Sequence, residues 1–296
     1  MSSMKSTLAT IFLLTIVFPA SRGLAGSGPL PDLGQSNTAL GRFWVGELSR
    51  LEQFPPDYRI SSDGTLNFVA SRGEVRLAYH SLPNADAECV LVRITDAVLD
   101  HAPSAAPGCL EFVFPWRQGA SLAPPRGEAA DHLICRGVVD ACRLVQIALG
   151  QGERPFNSVG LIGDGYGAGI ALAVASLMPE KVSFVVAHQP VCLSADLYAS
   201  SGEATWCEED AAEARRLEPL LNAERLAPYV VAPTLVIAGE WDPIATPEKC
   251  RRLWSALGRR GTLWMLPETG HCLPGELTDW DALWQRWAFV PWAGPA

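Results

Sequence analysis

Three short segments carry residue types that do chemistry when a fold brings them together. The first is Val159-Gly160-Leu161-Ile162, running into Gly163-Asp164-Gly165-Tyr166-Gly167 and then into the alanine-rich stretch Ala168–Leu177. Strand, glycine-flanked turn and helix form a nucleophile elbow, which holds its central residue in a strained conformation above the sheet edge. The flanking glycines serve close backbone approach, where a Cβ would clash. The central residue here is Gly165, which has no side chain to attack anything. In the second segment, Thr234-Leu-Val-Ile-Ala-Gly-Glu-Trp-Asp242, a buried type of strand ends in an aspartate. The third, Thr262-Leu-Trp-Met-Leu-Pro, leads to Thr269-Gly270-His271. An aspartate that orients an imidazole makes a general base, and elbow, acid, histidine is a triad order. Asp242 and His271 are thus the candidate acid and base, and Gly165 stands at the nucleophile position.

The elements that must position these residues follow from apolar patterning. Residues 37–53 read as a helix capped at Ser36 or Asn37. Thr65–Ala70 and Glu74–His80 read as a hairpin joined by Ser-Arg-Gly. Short apolar runs then recur at Cys89–Ile94, Leu110–Trp116, Val159–Ile162, Val182–His188, Thr234–Ala238 and Thr262–Leu266. Helical stretches lie between or after them, at about 131–150, 167–178, 247–257 and 276–289. Such alternation predicts βαβ units and a mostly parallel sheet flanked by helices, with functional groups on loops at the carboxyl ends of the strands. Residues 193–230 interrupt the alternation and are assigned to a small cap insertion; the run Glu208-Glu209-Asp210 within it reads as a solvated helix face.

Lys5, the apolar run Leu8–Phe18, Pro19 and Gly23-Leu24-Ala25 have the form of a signal peptide over residues 1–25. The run is shorter than the roughly 20 residues that a membrane helix needs. A linker and helix would follow over 26–58, then one α/β domain over 59–296. A periplasmic or secreted protein without stable membrane insertion is expected. Net charge is −9, and no Lys or Arg cluster would track a phosphate backbone, so a nucleic-acid partner is excluded. Eight cysteines suit an oxidising compartment, but their pairing is open, and buried thiols remain an equal reading for several. Cys135 and Cys142, seven apart on a helix, are about 10 Å apart along it and too far for a mutual bridge. No zinc-ligand spacing occurs, and neither metal nor cofactor is expected. Gly163-Asp-Gly165-Tyr-Gly-Ala168 partly matches a dinucleotide loop, but it lies mid-chain rather than in a first βαβ unit.

From about residue 60 to 290 the chain resembles the acetyl xylan esterase / cephalosporin-C deacetylase family of α/β-hydrolases. Phe114-Pro-Trp-Arg-Gln-Gly-Ala-Ser121 is similar to that family's Asp-x-Arg-Gly-Gln-Gly stretch, and Arg136-Gly-Val-Val-Asp-Ala-Cys-Arg143 to its Tyr-Arg-Gly…Asp-Ala-x-Arg helix. Val185-Val-Ala-His-Gln-Pro190 resembles the strand after the elbow helix. The resemblance implies an α/β-hydrolase fold, with the acid at Asp242, the base at His271, the serine position at Gly165 and an oxyanion N–H at Tyr166. Where the family has a His-Gly-Tyr-Gly oxyanion loop, this chain reads Thr95-Asp-Ala-Val-Leu-Asp100. Locally, Gly165-Tyr-Gly-Ala-Gly169 also resembles the N-myc downregulated-gene family, whose elbow serine is likewise lost. Loss of a hydroxyl nucleophile costs on the order of a million-fold in serine hydrolases, and one oxyanion donor roughly a further hundred- to thousand-fold.

Asp164, beside the tip, should point away from the pocket, and Cys192 and Cys272 occupy no elbow. Trp116, Trp206 and Trp241 are expected near the pocket mouth, where they would stack on sugar rings or line the lid and core. Trp280, Leu283, Trp284 and Trp287, at helical spacing, read as a packing face. Serine is expected to fit at position 165. Two functions follow as expectations. One is an exported, non-hydrolytic homologue that binds a small ligand, an ester or a carbohydrate. The other is a carboxylic-ester hydrolase or related lyase that uses Asp242–His271 with an unorthodox nucleophile.

Overall fold

The structure, a computed structural model, describes residues 39–52, 56–69, 75–81, 87–96, 108–116, 133–151, 155–191, 218–271 and 280–289. The segment read as a signal peptide, residues 97–100 of the loop after the first core strand, most of the expected cap segment, Trp206, Cys192, Cys207 and Cys272 lie outside them. The elements in chain order are α1 (Ala39–Glu52), β1 (Tyr58–Ile60), β2 (Thr65–Val69), β3 (Val75–His80), β4 (Cys89–Thr95), β5 (Cys109–Pro115) and α2 (Leu133–Leu149). There follow β6 (Val159–Asp164), α3 (Tyr166–Leu177), β7 (Val182–His188), α4 (Ala223–Leu226), β8 (Thr234–Gly239), α5 (Pro247–Leu257), β9 (Gly261–Leu266) and α6 (Trp280–Phe289).

The strands form one nine-stranded sheet in the order β1-β2-β3-β5-β4-β6-β7-β8-β9. β1, β2 and β3 pair antiparallel, β3 joins β5 antiparallel, and every pair from β5 to β9 is parallel. Strand β1 was not foreseen: three exposed residues carry no apolar alternation to mark it. The parallel strands read as near-continuous apolar runs because both sheet faces are covered. One face buries Val90, Val92, Phe112, Leu161 and Val236 with residues of α1, α2, α3 and α5. The other buries Leu91, Ile162, Val186, Leu235 and Ile237 with Trp284 of α6. Helix α3 is buried along nearly its whole length, which its small residues allow. Helix α5 starts with Thr246 accepting the Lys249 N–H and Pro247 in the first turn, and it buries Cys250, Leu253 and Leu257 as one stripe.

Cys89 and Cys109, paired across the starts of β4 and β5, form a disulfide, while Cys135, Cys142 and Cys250 are buried thiols. The chain runs from β4 outward to β5, then crosses back over β4 to reach β6. The sheet therefore changes direction between β4 and β6, and at their carboxyl ends lies the switch-point crevice where ligands bind in this architecture. Asp96 follows one of these strands and Gly165 the other.

Candidate active site

Each half of the site rests on backbone contacts that only glycine permits. A Cβ on Gly163 would lie 2.4 Å from the Gly167 carbonyl oxygen, and one on Gly167 would lie 2.2 Å from that of Ile94. The elbow thus packs directly on the end of β4. Gly165 at its tip has φ 54° and ψ −122°, in the left-handed half of the map that side chains avoid. Its N–H donates to the His188 carbonyl at 3.0 Å, and its own carbonyl accepts from Val191 N–H at 2.9 Å. These two bonds staple the tip to the end of β7.

Asp242 lies on the turn after β8. Its Oδ1 accepts the N–H groups of Ile244 at 2.8 Å and Ala245 at 2.9 Å, and Oδ2 faces His271 Nδ1 at 2.8 Å. Burial pushes the Asp242 carboxyl up, but the His271 hydrogen bond and the two backbone donors outweigh it and hold the carboxyl below its ordinary range. The imidazole moves the other way. The Asp242 hydrogen bond raises it above 6.5 against burial, helped by the charges of Asp242, Asp96 and Asp164. The His271 loop is tied down by Trp241 N–H to the Thr269 carbonyl at 2.9 Å, and by Gln189 Nε2 to the Gly270 carbonyl at 2.7 Å. Gly239 lets that loop approach, since a Cβ there would sit 2.4 Å from the Thr269 oxygen. Gln189 itself adopts a φ of 43°, a strained conformation for a side-chain-bearing residue. Behind it His188 is fully buried. Burial first, then the charge on His271, lowers it to about 4, so it stays neutral.

At the end of β4, Asp96 brings a carboxylate to the elbow. Asp96 Oδ2 accepts the Tyr166 N–H at 3.3 Å, and Trp116 Nε1–H donates to Asp96 Oδ1. The same Oδ2 lies 2.8 Å from where a Cβ on residue 165 would stand. A serine at 165 therefore meets Asp96, and the expectation that it simply fits is corrected: the carboxylate must swing aside first. Of its two readings, Trp116 takes the core one. It is completely buried, with its backbone carbonyl accepting from Arg76, so it is a support under Asp96 rather than a surface at the pocket mouth. Trp241, at 64% exposure, remains on the surface.

Asp164 is buried under the β4 end. Its Oδ1 accepts from Thr95 Oγ1 and from the Asp96 N–H, each at 3.3 Å. Burial, then the charge on Asp96, pushes its carboxyl up to about 6. Sequence reasoning missed Asp96 and Gln189 as site residues. The available signal was an acidic residue directly after the strand that flanks the switch point. Among the described residues no cluster of three or more His, Cys, Asp or Glu side chains converges to hold a metal ion, and no helix is long and apolar enough to cross a membrane. A groove of about 410 Å³ opens at the amino ends of β4, β6 and β7, the opposite sheet edge from these side chains.

The fold has counterparts among solved structures. The fold is that of the α/β-hydrolases. Acetyl xylan esterase 1 from Thermoanaerobacterium sp. superposes over 88% of this chain and 96% of its own, at 17% identity and a TM-score of 0.66. An acetyl xylan esterase from Paenibacillus sp. gives the same coverage and TM-score at 16% identity. The esterase domain of a Rhodothermus marinus protein covers 75% of this chain and 97% of its own, at 19% identity and 0.51. No family model and no curated protein matches the chain. Within this α/β-hydrolase frame, Gly165 occupies the elbow tip and Tyr166 opens the elbow helix.

Proposed function

We propose that this chain is an exported α/β-hydrolase homologue that has left serine-based ester hydrolysis and holds a small-molecule ligand in the crevice between β4 and β6. One observation carries this reading. Where a serine hydrolase presents a hydroxyl and an empty oxyanion site, Gly165 presents no atom, and the Asp96 carboxylate sits on the Tyr166 N–H. An ester whose carbonyl oxygen must become negative there would meet a resident negative charge instead of a free donor. Asp242 and His271 are retained as a base aimed at the bound ligand. An ester or sugar-derived ligand is favoured because the fold neighbours include acetyl xylan esterases. Export is favoured by the N-terminal pattern and by the Cys89–Cys109 disulfide, which suits an oxidising compartment.

Turnover of p-nitrophenyl acetate by the purified protein tests the reading. The expected rate is the buffer rate, unchanged in His271→Ala. A rate well above buffer that His271→Ala abolishes would return the chain to the ester hydrolases. Export is checked by N-terminal sequencing, which should find a mature chain starting near Gly26; an intact Met1 on cytoplasmic protein would refute it.

A further inference from the structure

Backbone strain gathers on the supports of His271. Among the described residues, only Gln189, at φ 43°, and Glu268, at φ 54°, carry a side chain in the left-handed region. Gln189 follows β7 and Glu268 follows β9, and the two segments meet where Gln189 bonds to Gly270. Gln189 is the more constrained, because Pro190 comes next and a residue before proline is pushed toward extended backbone at negative φ. Such a conformation persists only where contacts over-determine it, and it concentrates at functional sites. The contacts are these. Gln189 is 1% exposed, its N–H donates to the Ile237 carbonyl at 2.7 Å, and its Nε2 donates to the Gly270 carbonyl at 2.7 Å. Its neighbours hold the elbow: the His188 carbonyl accepts from Gly165 N–H, and Val191 N–H donates to the Gly165 carbonyl. Gly270 immediately precedes His271, whose Nδ1 lies 2.8 Å from Asp242 Oδ2. Residues 188–191 thus touch the tip in one half of the site and the histidine loop in the other. Burial alone would favour an apolar side chain at 189; the amide is what reaches the histidine loop.

We infer that Gln189 is a positioning residue: through its bond to Gly270 it holds His271 on Asp242, and through its neighbours it ties that pair to the elbow tip. The inference rests on the reading that Asp242 and His271 are the base of this site. Gln189 acts only by placing the imidazole. With its bond removed, the Trp241–Thr269 backbone bond remains, one residue further from the imidazole. Gly270 is then free to shift, since nothing lies within 4 Å of where its Cβ would stand and glycine accepts most backbone conformations. The imidazole follows the loop, and its bond to Asp242 loosens.

Titration of the His271 ring by NMR, on the full-length protein, tests this with two substitutions. Gln189→Met removes the donor but keeps the side chain's length and the strained backbone. Gln189→Gly removes the donor and relieves the strain. Neither alters Asp242, Asp96 or Asp164, whose charges raise the imidazole. The His271 pKa should fall toward 6.5 to the same extent in both variants, and its Nδ1 proton should exchange with water roughly ten-fold faster, as for the loss of one buried hydrogen bond. Gln189→Gly should nevertheless unfold at a higher urea concentration than Gln189→Met, so the pKa and the stability part company. A residue that only supports the fold would move the two together. Adding Gln189→Met to Asp242→Asn should leave the histidine where Asp242→Asn alone puts it, because the bond through which Gln189 acts is already gone. The inference is overturned if the His271 pKa is unchanged in either folded variant, if it follows the urea midpoint, or if Gln189→Met shifts it equally with and without Asp242. Should Gln189→Met fail to fold, Gln189→Gly, alone and combined with Asp242→Asn, makes the same comparison. Ester turnover that His271→Ala abolishes would overturn the reading of the site's function, and the titrations would still decide this inference.

Discussion

The two halves of the site are built by similar means and reached through the sequence very differently. In the acid–base half, on the loops after β8 and β9, a short acidic turn meets a Gly-His loop, and Asp242 contacts His271 at 2.8 Å. In the carboxylate half, on the loops after β4 and β6, a bare glycine tip lies under an aspartate from a different strand. Both halves depend on glycines that let backbone touch backbone, Gly239 in one and Gly167 in the other. They differ in where the working side chain originates. The first half keeps its functional groups on the segments whose motifs announce them. In the second, the elbow motif supplies only a platform, and the polar group comes from a strand about 70 residues earlier. A motif locates a position in the fold, but the atom that fills the position can come from elsewhere.

The largest expected effect tests the shared part of that comparison. Gly167→Ala and Gly239→Ala should each cost about 3 kcal/mol of stability in urea unfolding, because the new methyl group meets a carbonyl oxygen at 2.2 or 2.4 Å that cannot yield without moving a strand end. A loss under about 0.5 kcal/mol in either variant would show that the corresponding half is looser than its contacts imply.

The second expected effect is confined to the acid–base half. Asp242→Asn removes the largest influence that raises His271 and leaves burial, which lowers it. The imidazole pKa, followed by NMR, should fall. An unchanged value would mean that Asp96 and Asp164 set the histidine's charge, which would merge the two halves electrostatically.

These halves also differ in how legible they were. The strand runs, the elbow, and the order of acid and histidine were readable because periodicity and glycine spacing are local. Asp96 was visible only as the absence of a glycine-rich loop, since nothing in Thr95-Asp96 reveals that Trp116 and Tyr166 lie across from it. Trp116 was left between sugar stacking and the core for the same reason: an apolar strand end gives no sign that its indole N–H is spoken for inside the core. Gln189 was hidden because its strained backbone and its bond to Gly270 depend on two loops meeting.

A smaller effect belongs to the buried pair behind the carboxylate half. The folded-state pKa of His188 is lowered to about 4, so the unfolded chain takes up that proton first and stability falls as pH drops from about 6.5 to 4. Asp164, raised to about 6, does the reverse: the folded state takes up the proton first, and stability is regained as pH drops from about 6 to 3.8. The two nearly offset each other. Asp164→Asn keeps the acceptor for Thr95 and Asp96 and removes the offset. Urea unfolding should therefore show a larger stability loss between pH 6.5 and 4.5 in the variant than in the unmodified protein, and parallel losses would contradict the assignment.

Fluorophosphonate labelling of three proteins tests most directly whether Asp96 stands where a nucleophilic hydroxyl would. The unmodified protein should stay unlabelled, since Gly165 offers no oxygen. Gly165→Ser should label only weakly, because its Cβ meets Asp96 Oδ2 at 2.8 Å and the Tyr166 N–H is already engaged. Gly165→Ser combined with Asp96→Gly should label at least tenfold faster, with the tip and the donor both cleared. Labelling of the unmodified protein, or equal rates for the single and double variants, would show that Asp96 does not occupy that place.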